Sequence, residues 1–236
     1  SSTAARGGHP SGHGGRKPQT PFVSLPTAFG GHMSKNATRT KLQNVGIIST
    51  RIAGTDGVSL EIEKWAHVLE GMGLSCFYFA GELDRPEEQS YFCAKAHFTH
   101  PAIKAVYLEC FDREVRRRDI TDELHSLKND LKDHLYAFVE RFELGLIVVE
   151  NALTIPLNIP LGVAITEFIA ETGIPTIAHH HDFYWERDRF TNNAIGDYLC
   201  LAFPPNLPSI YHVVINSHAS AQLSLRTGIS AVVSPN

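Results

Sequence analysis

The sequence predicts an α/β fold in which a Rossmann-like parallel sheet carries helices on both faces. Three observations lead to this prediction: short, continuously apolar runs; longer segments whose apolar residues recur at steps of three and four; and glycine or proline stops between them. Continuously apolar strands are typical of parallel sheets that are covered on both faces. Their alternation with amphipathic helices favours the α/β class.

Composition limits the kind of protein. The chain has 236 residues, 43% of them hydrophobic and 19% charged, with a net charge of −4. The small acidic excess argues against a nucleic-acid-binding domain, and no apolar run approaches the length of about 18 residues that a membrane helix needs. The four cysteines lie far apart without a Cys-x-x-Cys pair. We therefore expect neither a disulfide framework nor a zinc knuckle, and a cytoplasmic location.

The first 33 residues differ from the rest of the sequence. They contain three Gly-Gly pairs and four prolines, lack apolar periodicity and end in Gly-His-Met. A secretory signal would need an apolar run, which this segment lacks. We expect residues 1–33 to be an expression leader or a disordered tail, and residues 34–236 to form a single domain.

The first half of the domain alternates between short apolar runs and helical periodicity. Apolar residues at steps of 4, 3, 4 and 3 predict the first helix, which Gly71 and Gly73 end. A longer apolar stripe beside a charged face predicts the second helix. The predicted strands are 45–49, 76–79 and 105–108, and the predicted helices are 58–72 and 112–142.

The second half continues the same alternation. A helix stop with the sequence Thr-Gly-Ile-Pro precedes one strand, and Val-Val-Ile forms the core of another. The predicted strands are 146–149, 176–178, 213–215 and 231–233, and the predicted helices are 161–171 and 217–227.

Ligands of such a sheet bind beyond the carboxyl ends of the strands, where the first polar loop is glycine-rich. It comprises Gly54, Thr55, Asp56 and Gly57. Glycine lets a backbone approach a ligand closely, and the following helix start offers N–H groups to an anion. The loop has neither the dinucleotide-binding fingerprint nor the P-loop pattern, so a simple tight turn is an equal alternative.

A run of three histidines and an aspartate follows the strand at 176–178. Adjacent residues of a strand point to opposite faces, so at most two of the three imidazoles share a face. The i, i+4 spacing of helical zinc sites is also absent, and we expect no bound metal. His179 and His180 are expected to pack against neighbouring helices. His181 and Asp182 lie at the strand end, where they can hydrogen-bond a ligand such as a sugar hydroxyl.

Two further polar pairs follow strands. Glu150 and Asn151 come after the strand at 146–149, where a binding role competes with a role in a turn or helix cap. Asn216 and Ser217 follow the strand at 213–215. Ser217 is a candidate binding residue, but it is also a suitable N-cap for the next helix.

Taken in order, these segments resemble the amino-terminal half of the retaining glycosyltransferases of the GT-B fold, family 4. The family pattern Pro-x-x-x-x-x-His-Asp matches residues 175–182, and its Asn-Ser pair matches Asn216 and Ser217. Its Val-x-Pro-Asn hinge matches residues 233–236. The resemblance covers nearly all of residues 42–236.

The resemblance implies an enzyme that transfers a sugar from a nucleotide-sugar donor to a small-molecule or carbohydrate acceptor with retention. His181 takes the place of the family's active-site histidine and would hydrogen-bond the donor sugar. Asp182 or Glu150 would position acceptor hydroxyls, and the loop from Gly54 to Gly57 would lie beneath the sugar and diphosphate. The leaving phosphate helps to accept the proton, so no protein nucleophile, metal or other cofactor is implied.

The sequence stops at the family's hinge, before the second Rossmann domain that carries most nucleotide contacts. We therefore expect a truncated half that folds but does not transfer sugar. Its apolar surface toward the missing half would favour self-association. Two alternatives stay open: a non-catalytic Rossmann-like module that binds a sugar or anion, and another GT-B enzyme such as a nucleotide-sugar 2-epimerase.

Overall fold

A computed structural model describes residues 42–235, which form a seven-stranded, all-parallel sheet with helices on both faces. The predicted α/β, Rossmann-like class is confirmed. The strands are β1 Asn44–Ile48, β2 Ser75–Ala80, β3 Ser90–Phe92, β4 Leu146–Glu150, β5 Thr176–His180, β6 Ile210–Val214 and β7 Ala231–Val233. The helices are α1 Gly57–Gly71, α2 Pro101–Cys110, α3 Arg118–Arg141, α4 Ile159–Thr172, α5 Gly196–Ala202 and α6 Ser217–Thr227.

The strand order creates a crevice at the middle of the sheet. The order is β3-β2-β1-β4-β5-β6-β7, so the chain runs outward from β1 to β3 and then returns to the other side of β1. Ile48 at the end of β1 is in register with Val149 near the end of β4. In open parallel sheets, ligands bind where the strand order reverses in this way.

The core lies on both faces of the sheet because successive strand residues point to opposite sides. Ile47 belongs to the cluster that packs with Ile62 and Leu69 of α1. Ile48, its neighbour, belongs to the larger cluster formed with helices α2 to α5, which includes Leu131 and Phe168. The sheet is therefore packed against α1 on one face and against helices α2 to α5 on the other.

The strand predicted at 105–108 is wrong, because these residues lie within helix α2. The helix buries Ile103, Val106 and Cys110, at steps of three and four, and Pro101 occupies its first turn. Proline suits that position because its missing N–H has no partner there in any helix. A window of four apolar residues was too short to show this period.

Other boundaries differ more modestly. Helix α3 begins at Arg118 instead of residue 112, where Asp112 has a left-handed backbone with φ of 56°. Strand β6 ends at Val214 and β5 continues to His180, two residues further than predicted. Two elements were not predicted, the short edge strand β3 and the seven-residue helix α5, because both are too short to show clear periodicity.

Other predictions concern residues outside the described range, cysteine pairing and membrane helices. The leader predicted over residues 1–33 lies outside the described residues, as does Asn236 of the hinge motif. All four cysteines, which fall within the described residues, are free. Among those residues, no helix combines the length and apolar character that crossing a membrane requires.

Candidate active site

A cavity of about 220 Å³ opens where β1 and β4 end, at the point where the strand order reverses. One part of its wall is polar and the other is apolar, which suits a sugar with a hydroxyl-bearing edge and an apolar ring face. The polar lining consists of Ser49, Thr50, Arg51, Asp56, Glu150 and Asn151, and the apolar lining of Val58, Phe98, Ile155 and Leu157.

The glycine-rich loop reaches this cavity through Asp56, which is the N-cap of α1. Its carboxylate accepts hydrogen bonds from the backbone N–H groups of Val58 and Ser59 and from the Ser59 hydroxyl. Arg51 donates to Oδ2, the oxygen that also accepts from the Ser59 hydroxyl, at 3.0 Å. Partial burial opposes ionisation, but the Ser59 hydrogen bonds and the Arg51 charge outweigh it and lower the pKa of Asp56. Asp56 therefore caps α1, a role that the sequence analysis did not assign to it.

The rest of the predicted loop is exposed. Gly54 has a left-handed backbone with φ of 75°, which glycine adopts readily, and its N–H donates to Asp84 at 2.7 Å. Thr55 and Gly57 are also exposed at this edge. The structure thus places the loop beside the cavity, and contact with a ligand stays a prediction for Gly54, Thr55 and Gly57.

Strand β5 separates its histidines between the two faces of the sheet. Glu150, at the end of β4, is in register with His179. His179 Nδ1 lies 3.0 Å from Glu150 Oε2, and His181 Nε2 lies 3.2 Å from the same oxygen. His180 faces the opposite side, where its Nε2 lies 2.8 Å from His212 Nδ1 of β6.

Glu150 is a fully buried carboxylate held by two imidazoles. Its exposed fraction is 0%, against 1% for His179 and 15% for the His181 side chain. Burial opposes ionisation, but the hydrogen bonds from His179 and His181 outweigh it and lower the pKa of Glu150. The carboxylate is therefore ionised near neutral pH, and its direct contact with an acceptor stays a prediction.

Among the described residues, Glu150, His179 and His181 form the group that can offer a metal ion three ligand atoms. These atoms all lie within 4.8 Å of one another, and two histidines with one glutamate form a known zinc-binding set. This cluster could not be predicted from the sequence, because Glu150 joins it through strand pairing and not through a short spacing along the chain. The expected absence of zinc stays a prediction.

Asn151 connects the ends of β4 and β5. Its backbone is left-handed, with φ of 58°, and its side-chain amide donates to Asp182 at 3.2 Å. Its Oδ1 accepts from the His181 backbone N–H at 3.3 Å and from the Thr154 hydroxyl at 2.9 Å. Asp182 also pairs with Arg187. The predicted residues Asn151, His181 and Asp182 are therefore brought together, next to Glu150.

The suggested N-cap role of Ser217 is wrong. Asn216 is the N-cap of α6, and its side chain accepts from the Ala219 backbone N–H at 2.8 Å. Asparagine is among the best N-cap residues, and its side chain reaches the third residue of the helix. Ser217 is the exposed first residue of α6, where its binding role stays a prediction.

Two functional candidates were not identified from the sequence. His179 was assigned to packing, although it also bonds Glu150, and Trp65 of α1 packs against it with ring centroids 5.4 Å apart. The spacing of His179 and His181, two residues apart at a strand end, was the available indication. Arg51 went unnoticed because nothing in its local sequence shows that it turns toward Asp56.

The fold and the site define a Rossmann-like α/β protein with a polar cavity at its strand-order reversal. No family model matches the chain, and no solved structure matches it. The chain is 32% identical over 209 residues to mannosylglucosylglycerate synthase of Petrotoga mobilis, and 32% identical over 197 residues to the synthase of that name from Thermotoga maritima. Each alignment covers 81% of this chain but 44% of the relative. Both relatives are glycosyltransferases.

Proposed function

We propose that this chain is the acceptor-side Rossmann-like domain of a retaining GT-B glycosyltransferase of family 4. The observation that supports it most is 32% identity to two glycosyltransferases across 81% of the chain. The chain spans less than half of each relative, and we propose that a second domain of the whole protein binds the nucleotide. The whole protein would act in the cytoplasm on a nucleotide-sugar donor, and the isolated chain would be inactive and prone to self-association.

The name of the relatives suggests the substrate class. We propose that the whole enzyme attaches a mannosyl group from a nucleotide-activated mannose to an acceptor glycoside that contains glycerate. Such an acceptor carries a carboxylate, and Arg51 supplies a cationic group in the cavity wall. Because guanidinium groups bind carboxylates well, Arg51 is the proposed partner of the acceptor's acid group.

In the proposed mechanism, the protein positions two substrates and supplies no nucleophile. His181 hydrogen-bonds the donor sugar, and Asp182, held by Asn151 and Arg187, orients an acceptor hydroxyl. The acceptor attacks the anomeric carbon on the face that the leaving phosphate vacates, and this phosphate takes the hydroxyl proton. Holding both substrates in one closed cleft supplies most of the rate enhancement. The reaction as proposed requires no metal.

The test is an assay of the protein encoded by the complete gene, with a panel of nucleotide sugars and with glucosylglycerate as the acceptor. We expect transfer from a nucleotide-mannose donor, and the anomeric configuration of the product, read by NMR, should match that of the donor. The isolated chain should show no multiple-turnover transfer. Sugar epimerisation without an acceptor would support the epimerase alternative, and binding without any reaction would support a binding module.

A further inference from the structure

We propose that Glu150 and His179 are positioning residues that fix the tautomer of His181, so that Nε2 of His181 carries the proton and Nδ1 is left as a hydrogen-bond acceptor for a substrate hydroxyl. The tautomer rests on the geometry of the three side chains. The role of Nδ1 toward a sugar rests on the proposed function.

The first step concerns His179. Its Nδ1 lies 3.0 and 3.1 Å from the two oxygens of Glu150, while its Nε2 is buried and has no hydrogen-bond partner among the described residues. A proton on Nε2 would be a buried donor without an acceptor, which costs about 1–3 kcal/mol. His179 therefore carries its proton on Nδ1, where it points toward Glu150.

The second step concerns His181. Its Nε2 lies 3.2 Å from Oε2 of the ionised Glu150. Two acceptor atoms do not form a hydrogen bond without a proton between them, so Nε2 must be the protonated nitrogen. Neutral histidine has one N–H group, so Nδ1 of His181 then carries a free lone pair. Nδ1 forms no hydrogen bond among the described residues, and the side chain is 15% exposed.

Ring packing and a backbone hydrogen bond hold this arrangement in place. Trp65 packs against the His179 ring, and the rings of His179 and His181 meet nearly edge to face with centroids 4.9 Å apart. The Asn151 side chain also accepts from the His181 backbone N–H. Buried packing therefore holds His179 against Glu150, and Glu150 in turn orients His181. A histidine whose second nitrogen is held by a carboxylate is the usual way that proteins set a tautomer.

The test measures the tautomer directly in this chain by nitrogen–proton correlation NMR at about pH 8, well above the ordinary histidine pKa. The His181 signals are assigned by their loss in the His181→Gln variant. We expect the chemical shift of a protonated nitrogen at Nε2 and of a bare nitrogen at Nδ1. Because this result needs no disruptive variant, a protonated Nδ1 in the unmodified chain would overturn the proposal outright.

A variant then tests whether Glu150 is the cause. In Glu150→Leu, the side chain has no acceptor atom and leaves the Nε2 proton of His181 without a partner, so we expect the His181 signals to change to a mixture or to the other tautomer. Glu167→Leu is the matched control, because Glu167 bonds Lys128 and Lys132 of α3, and it should leave the His181 signals unchanged. An unchanged tautomer in folded Glu150→Leu would refute a positioning role for Glu150.

Zinc titration of the same sample distinguishes positioning from metal binding. We expect no stoichiometric change at His179 or His181, because their inward nitrogens are already protonated toward Glu150. Stoichiometric binding that removes the proton from Nε2 of His181 would overturn the proposal in favour of a metal site. In the complete protein, Glu150→Gln should lower kcat by at least about tenfold with a smaller change in KM. If the unmodified complete protein transfers no sugar, the proposed function fails, while the tautomer result stands.

Discussion

The three consecutive histidines at the end of β5 belong to two clusters, one on each face of the sheet. The clusters differ in the partner of the imidazoles. On the side of α1, His179 and His181 meet the carboxylate of Glu150. On the other side, His180 hydrogen-bonds the imidazole of His212. Glu150 and His179 are as deeply buried as His180 and His212, so the difference between these two pairs comes from the partner and not from depth in the sheet.

The partners have opposite electrostatic consequences. On the first side, hydrogen bonds from imidazoles outweigh burial, so the pKa of Glu150 is lowered and the site keeps an ionised group. On the second side, where no carboxylate among the described residues hydrogen-bonds an imidazole, burial disfavours protonation. It brings the pKa of His180 well below the ordinary value and lowers that of His212 to about 4. The first cluster is thus a polar site suited to binding, whereas the second is an uncharged part of the core.

The largest expected effect tests whether the Glu150 cluster also stabilises the fold. Glu150→Ala removes the common acceptor of the His179 and His181 N–H groups, and each buried donor left without an acceptor costs about 1–3 kcal/mol of unfolding free energy, so the two together cost several kcal/mol. Denaturant unfolding measures the change. Glu167→Ala is the control, since its carboxylate is partly exposed and such pairs are worth about 1 kcal/mol or less. Equal losses in the two variants would contradict the distinction.

The second prediction separates the clusters by function. His181→Ala in the complete protein should raise the barrier to turnover by about 2–4 kcal/mol, as loss of one preorganised hydrogen-bond donor or acceptor does in other enzymes. The free energy of unfolding should fall by only about 1 kcal/mol, because Glu150 keeps its bonds with His179. Steady-state kinetics and denaturant unfolding give the two values. Near-normal turnover in a folded variant would remove His181 from the active site.

The sequence could show the strands but not the side chains that meet across them. The alternation of side chains along a strand correctly indicated that at most two of the three histidines share a face, and the structure places His179 and His181 on the same one. This alternation could not show that Glu150 lies opposite His179, because these residues are 29 positions apart and the β4–β5 register depends on the fold. His212 was missed for the same reason.

Elements with a short apolar run were also difficult to predict from the sequence. Helix α6 was predicted with its observed bounds because its glycine stop and polar start agree with its length. Helix α2 was taken for a strand, since its apolar residues form a short run whose helical period emerges only from Ile103 to Cys110. The loop from Gly54 to Gly57 was located correctly, but the capping role of Asp56 depends on the helix that follows it.

The third prediction is that mild acid destabilises the fold through the cluster of His180 and His212 before it protonates Glu150. The unfolded chain binds a proton at His212 with the ordinary pKa of 6.5, whereas the folded chain binds it only near pH 4. Acid therefore favours unfolding, and His212 alone should remove about 2 kcal/mol between neutral pH and pH 5. The stability from Glu150 is lost only below its ordinary value of 4.5, because its folded pKa is lowered. Denaturant unfolding across this pH range measures the slope.

The control for that slope is His212→Leu, which removes the group whose titration drives it. Its unfolding free energy should change less between neutral pH and pH 5 than that of the unmodified chain. Glu150→Gln should keep the slope in this range, because the Glu150 carboxylate is not yet protonated there. A slope that vanishes in Glu150→Gln but persists in His212→Leu would assign the acid sensitivity to the opposite face.

The smallest expected effect comes from replacing both histidines of the uncharged cluster. The double variant His180→Leu/His212→Leu should change the unfolding free energy at neutral pH by no more than about 1 kcal/mol, because replacing both partners of a neutral buried hydrogen bond by apolar groups is nearly neutral. The pair also has two buried nitrogens, Nδ1 of His180 and Nε2 of His212, that lack a partner among the described residues. Removing them offsets the lost hydrogen bond and part of the repacking cost. A loss of several kcal/mol in denaturant unfolding would show that these nitrogens stabilise the fold, and that the second cluster is more than core.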